Sequence, residues 1–218
     1  GARRFAEDLD PRYTSSAASR EQWSWIASKL GATRDARRAS KRDGAFTLVV
    51  GHRPILSLAA RSRTEPELAV GARLEALLQA EYAANLYIGG HDHTMQHFKL
   101  EQSSQRKTAL HAIVNGVGGF NLHPFAPAVA HDGIVDAGGA AEATQAEAGG
   151  SRSAAGAAGR RPYASAASRS MTKRARAALR WRQAETFGFI LHEMTPDGMD
   201  LHFIGVEGKV LYTTTVPN

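Results

Sequence analysis

Tyr87-Ile88-Gly89-Gly90-His91-Asp92-His93 is the stretch on which the reading of this chain turns. An apolar run, read as a strand, ends in glycine and delivers two histidines at i and i+2. In extended backbone both imidazoles leave the same side of the chain, so the pair can face a metal centre. Upstream, Phe46-Thr47-Leu48-Val49-Val50 runs in the same way into Gly51-His52-Arg53-Pro54. A Gly-His at one strand end is common by chance. Two of them, with an amphipathic helical segment between, describe a ligand cluster at the edge of an α/β sheet, where such folds hold their sites.

The surrounding elements follow from period and caps. Ser19-Arg20-Glu21-Gln22 has a capping-box pattern. Trp23, Ile26, Ala27 and Leu30 then recur at helical spacing, and Gly31 is placed to end that helix. Thr64-Glu65-Pro66-Glu67 reads as a second cap with an early proline, and Leu68, Leu74, Leu77 and Leu78 line the face behind it. Strand Phe46–Val50, this helix and strand Leu86–Ile88 predict a βαβ unit with parallel strands. Antiparallel pairs are expected beyond it: Phe98–Leu100 with Leu110–Val114, then Phe187–His192, Leu201–Val206 and Val210–Val216. Pro196-Asp197-Gly198 and Glu207-Gly208 supply turns between the last three.

With these residues in place, the chain resembles the calcineurin-like metallophosphoesterases, and within them the tartrate-resistant (purple) acid phosphatases. Val49-Val50-Gly51-His52-Arg53-Pro54 with Ser57, and Gly90-His91-Asp92-His93, are similar to the last two motifs of that family. Gln22-Trp23-Ser24-Trp25 with Leu30 resembles its preceding helix. Val114-Asn115-Gly116-Val117-Gly118-Gly119 resembles its small-residue turn, and Phe187-Gly188-Phe189 through Gly208-Lys209-Val210-Leu211-Tyr212 its closing hairpin. The resemblance spans nearly everything outside roughly residues 126–184. The family's Gly-Asp-x-x-Tyr and Gly-Asn-His motifs are absent, no Asp-x-Gly precedes the two histidine motifs, and the chain opens at Gly1 without an initiator Met. The expected fold is therefore α/β, the C-terminal half of a two-sheet αββα metallophosphoesterase sandwich carrying a disordered basic insertion.

The resemblance implies a phosphate-monoester hydrolase with two metal ions, Fe paired with Fe, Zn or Mn. His52 and His91 would bind one metal and His93 the other. Two metals bind phosphoryl oxygens and lower the pKa of a shared water, whose hydroxide then attacks phosphorus in line. Neutral imidazoles suit Fe, Zn and Mn better than Mg or Ca. The bridging Asp, the Asn and the Tyr ligand would come from the missing half, so this piece alone is expected to hold both metals poorly. Past Ser57 the family commonly carries a histidine near the leaving group. Leu58-Ala59-Ala60-Arg61 stands here instead, which makes Arg61 the substrate-binding candidate. Arginine pairs bidentately with phosphate but stays protonated and cannot serve as a general acid. Arg53 occupies a position that varies in the family and reads equally as a solvated charge.

Composition bounds the rest. The chain has 218 residues, enough for one core, and no apolar stretch of the roughly 20 residues that a membrane helix needs. No signal peptide is visible. With no cysteine, any metal must use His, carboxylate, Asn or Tyr. The net charge of +6 is local: Ser151–Arg182 holds nine Lys/Arg and no Asp or Glu, and setting those nine aside leaves 18 of the 27 basic residues against 21 acidic ones. Between Ala137 and Pro162 there is no Val, Ile, Leu, Met, Phe, Trp or Tyr, too little apolar surface to offset ordering entropy. Residues 1–130 and 185–218 thus read as the phosphoesterase part and 131–184 as an Ala/Gly/Arg-rich insertion, with a short basic helix within Met171–Trp181. The insertion reads as a solvated linker in a surface loop, or as a patch at 151–182 that binds polyanions weakly.

The remaining histidines draw plainer readings. His97 is a candidate for bracing a ligand histidine from behind. His111, His192 and His202 lie in strands, and nothing in the sequence promotes His123 or His131. Trp23 and Trp25 read as core and surface positions of one helix. Two alternatives to monoester hydrolysis stay open: diester or nucleotide hydrolysis at the same site, and a catalytically silent remnant that binds a polyanionic partner through 151–182. The family resemblance points to a secreted or lysosomal setting.

Overall fold

A computed structural model describes residues 17–40, 45–59, 65–81, 84–101, 109–125 and 173–218. Arg61, the Thr64 cap, His131 and the insertion up to residue 172 lie outside the described residues.

Helix α1 (Ala17–Ser40) begins two residues before the Ser19 expected as its cap and runs straight through Gly31. A helical glycine costs about 1 kcal/mol relative to alanine. Ala32, Ala36 and Ala39 with Arg34, Arg37 and Arg38, all strong helix formers, outweigh it. Arg37 Nη1 donates to Thr47 Oγ1 at 3.0 Å, so the extra turns reach the entry of the first strand. Leu30 is buried, Trp23 and Ile26 pack on the same core, and Trp25 faces solvent as expected.

Strand β1 (Leu48–Val50), helix α2 (Glu65–Ala76) with a π-helical turn (Leu77–Glu81), and strand β2 (Leu86–Gly89) form the expected βαβ unit, with β1 and β2 parallel. Strand β3 (Met95–Leu100) and strand β4 (Leu110–Asn115) pair antiparallel, and β4 runs parallel to β2. Strand β5 (Leu179–Gln183) completes a five-stranded mixed sheet in the order β1-β2-β4-β3-β5. Strands β6 (Gly188–Thr195), β7 (Gly198–Gly205) and β8 (Val210–Pro217) form a separate antiparallel meander. This is the mixed α/β, two-sheet architecture expected.

Among the described residues the short basic helix covers 173–178, and the chain then turns extended. Leu179 and Trp181 are buried while Arg180 is exposed, the alternation of a half-buried strand. An alanine-rich lead-in masks that period in the sequence. Arg174 pairs with the nearly buried Glu75 and fastens the 173–178 helix to α2. Burial raises the Glu75 carboxyl above its ordinary range even against the opposing pull of Arg174.

Two apolar layers result. Leu30, Leu56, Leu58, Leu78, Tyr87, Phe98 and Leu110 join the helices to one face of the large sheet. Leu86, Met95, Ile113, Trp181, Leu201, Phe203 and Val216 fill the space between the two sheets, where Trp181 stacks on Tyr212 with ring centroids 4.9 Å apart. Asn85 clamps the sheets at one end: its Oδ1 accepts from Thr47 N at 2.9 Å and its Nδ2 donates to the Pro217 carbonyl at 3.0 Å.

A polar thread crosses the inter-sheet layer. His97 Nδ1 lies 3.0 Å from the Tyr212 hydroxyl, and His97 Nε2 lies 3.0 Å from His111 Nδ1. Burial, then His111, Arg180 and Lys99, push His97 down to about 3. Burial, then Lys99 and Arg180 against Glu101, push His111 down to about 4. Both imidazoles are neutral in the fold and take up protons near 6.5 once unfolded. Their contribution is complete above pH 6.5 and is lost as pH falls from there toward 4 and 3. Thermal melts should therefore drop on acidification by up to about 1.4 kcal/mol per histidine per pH unit, and the slope should shrink in His97→Gln. Melting temperatures independent of pH between 6.5 and 4 would contradict this.

Candidate functional site

The two Gly-His segments meet because β1 and β2 are adjacent and parallel. Beyond the last paired residues, Val50 and Ile88, the pairing continues into the loops: Gly51 N donates to the Ile88 carbonyl and Gly90 N to the His52 carbonyl, each at 3.0 Å. The Tyr87 hydroxyl donates to the Arg53 carbonyl at 2.6 Å. A Cβ on Gly89 would sit 3.0 Å from Pro54 Cα, so the His52-Arg53-Pro54 turn lies against the end of β2. His91 has φ of 60°, left-handed backbone that costs a non-glycine residue about 1–2 kcal/mol. The site thus holds a strained residue at its centre.

Three side chains then form a chain of hydrogen bonds. Arg53 Nη1 lies 2.6 Å from His91 Nε2, and His91 Nδ1 lies 3.2 Å from His52 Nε2. Arginine only donates, so His91 Nε2 accepts. In a neutral imidazole the proton is then on Nδ1, aimed at His52 Nε2. Arg53 is accordingly no solvated surface charge, since its guanidinium is bonded to His91.

His93 is held differently. Its Nδ1 faces two oxygens of Asn121, the backbone carbonyl and, at 3.0 Å, Oδ1. Both accept, so Nδ1 carries the proton, and in a neutral imidazole Nε2 then keeps its lone pair. That is the usual posture of a metal-binding histidine, whose second nitrogen donates to an oxygen behind it. His123, which no sequence pattern promoted, completes the support. Its ring stacks on His93 at 4.0 Å, its Nδ1 accepts from His93 N at 3.1 Å, and its own N donates to the His93 carbonyl at 3.0 Å. Only the return of the loop after β4 brings it there.

Behind the site, the buried Gln96 donates to Ser57 Oγ at 3.0 Å and Thr94 Oγ1 at 2.7 Å, and accepts from Leu58 N at 2.8 Å. It joins the loop after β1 to the start of β3. His97 braces no ligand, because its bonds go to Tyr212 and His111. Arg61, the substrate-binding candidate, lies outside the described residues.

Tested against the implied metals, the three histidines divide. His93 presents a nitrogen suited to a metal. His91 does not: one nitrogen accepts from Arg53 and the other carries the proton. Among the described residues no group of three or more His, Asp or Glu is placed to hold an ion. The residues present therefore do not fit a complete two-metal centre.

No family model matches the chain, and no curated protein matches it. Solved structures do. One is the purple acid phosphatase PPD1 from yellow lupin (Lupinus luteus) seeds, at 16% identity and a TM-score of 0.54, covering 90% of this chain and 28% of that one. Another is GAP50, the anchor in the inner membrane complex of Plasmodium, at 21% identity and a TM-score of 0.49, covering 91% of this chain and 42% of that one. The likeness to the lupin protein shows a distant metallophosphoesterase-like fold. This chain spans less than half the length of either structure. No helix among the described residues is long and apolar enough to cross a membrane.

Gly116 backs the histidine loop so closely that an added Cβ would overlap the Asp92 carbonyl oxygen and sit 3.2 Å from His93 Cα. Gly116→Ala should displace the 91–93 loop and lower stability by about 1–3 kcal/mol, in the range of overpacked sites. Thermal melting and the histidine NMR shifts check this. A variant with wild-type values of both would show that the loop is not held from behind.

Proposed function

We propose that this chain supplies the histidine-bearing part of a phosphate-monoester hydrolase of the purple acid phosphatase type. The observation that supports it best is the junction of His52 and His91 on adjacent parallel strand ends, with His93 two residues on and turned by Asn121 to offer its Nε2. The metallophosphoesterase-like fold supports the same class. In this reading, the two metal ions need carboxylate ligands from outside the described residues and the release of His91 from Arg53. The chain's own part is to orient imidazoles at the sheet edge, with Gln96 and Gly116 fixing the loops that carry them.

A second reading, without catalysis, is favoured by the bond from Arg53 to His91, which leaves that imidazole closed to a metal. Its proposed partner surface is the basic stretch. Within the described part of that stretch, Arg174 pairs with Glu75, Arg180 lies 3.4 Å from Glu101, and Arg182 lies over the Phe125 ring at 4.7 Å.

The deciding experiment is hydrolysis of p-nitrophenyl phosphate by the full-length gene product, alongside His91→Ala and His93→Ala. The hydrolase reading expects each substitution to cut kcat/KM at least ~100-fold, more than the 10–100-fold typical of losing an outer partner of a ligand. Turnover indifferent to both histidines, or no turnover from folded, metal-supplemented protein, overturns it in favour of the silent reading.

A further inference from the structure

We propose that Arg53 is a built-in competitor of metal at His91, so that the His52/His91 pair takes up an ion only when the guanidinium withdraws. The inference rests on the reading of His52 and His91 as ligands and adds to it a control on their loading.

Arg53 Nη1 is 2.6 Å from His91 Nε2, a charge-assisted contact to the lone pair that a metal would use. Loading through Nε2 requires displacing Arg53. Loading through Nδ1 requires moving the proton to Nε2, which would then point at a group that cannot accept it. Either route breaks the same bond. The guanidinium also brings a fixed positive charge to within bonding distance of the place where a second cation would arrive, and like charges at such range oppose one another.

The competitor cannot drift away. Its carbonyl is bonded by the Tyr87 hydroxyl at 2.6 Å, and the next residue, Pro54, rests against Gly89. Tyr87 is itself buried in the core, which pushes its hydroxyl up to about 12 and keeps it a donor at every ordinary pH. Arg53 also follows His52 directly in the chain, so the competitor and one of the two ligands move together. Only its side chain is left to move.

His93 provides the internal contrast. Its Nδ1 faces Asn121 oxygens, so in the neutral ring Nε2 is the unprotonated nitrogen, and among the described residues no cation is bonded to it. One of the two implied positions is poised to bind, and the other is guarded.

The test titrates Zn2+ into the full chain by calorimetry, comparing wild type, Arg53→Ala, His91→Ala and the Arg53→Ala/His91→Ala double variant. Arg53→Met, which keeps the aliphatic stem, replaces Arg53→Ala if the smaller residue perturbs folding. We expect Arg53→Ala to tighten Zn2+ binding about 10- to 100-fold, the worth of one hydrogen bond to a charged group, and the gain to vanish in the double variant. Equal affinities in wild type and Arg53→Ala, with His91→Ala still weakening binding, would overturn the competitor role and spare the ligand reading. Binding indifferent to His91 in every background would overturn both.

Discussion

The structure depends on one contact, the parallel pairing of β1 with β2 and its continuation past the strand ends. β1 runs into Gly51 and β2 ends on Gly89, and the bonds Gly51 N to Ile88 O and Gly90 N to His52 O carry the ladder past Val50 and Ile88, its last paired residues. Every other property of the site follows. His52 and His91 face each other because their backbones are joined, Arg53 reaches His91 because it follows His52, and His93 turns aside because the strained His91 backbone redirects the chain. Tyr87 and Pro54 lock the geometry from the core side.

The rest of the fold serves to hold that edge still. α1 and α2 cover one face of the large sheet, the meander covers the other, and Asn85 bonds both sheets close to the start of β1 and β2. The inter-sheet layer is unusual in carrying a buried polar thread, His97 to His111 and Tyr212, whose His97–His111 bond needs a lone pair on one of the two facing ring nitrogens and a proton on the other. The same layer that gives the sandwich its apolar mass therefore makes it sensitive to acid.

Much of this was legible in the residues. The alternation and punctuation around Phe46–Val50 and Leu86–Ile88 announced the βαβ unit, and the glycine turns at Gly198 and Gly208, both with positive φ, announced the meander. The pairing of His52 with His91 followed from two Gly-His strand ends. What escaped was set by context. Trp181 belongs to a strand because Met95–Phe98 needed a partner, a demand that the alanine-rich segment before it does not reveal. α1 passes Gly31 because local propensity there is only a weak signal against a long run of good helix formers. His123 and Arg53 acquire roles through loops that return in space, and no periodicity marks such residues.

The central claim, that Arg53 and not a free lone pair faces His91 Nε2, is tested most directly by recording the ring nitrogens of the full metal-free chain with long-range 15N–1H NMR. His91 is expected to be protonated on Nδ1 with Nε2 shifted by an arginine donor, and His93 to be protonated on Nδ1. A His91 protonated on Nε2 would mean that Arg53 does not hold it, and the guarded site described here would not exist.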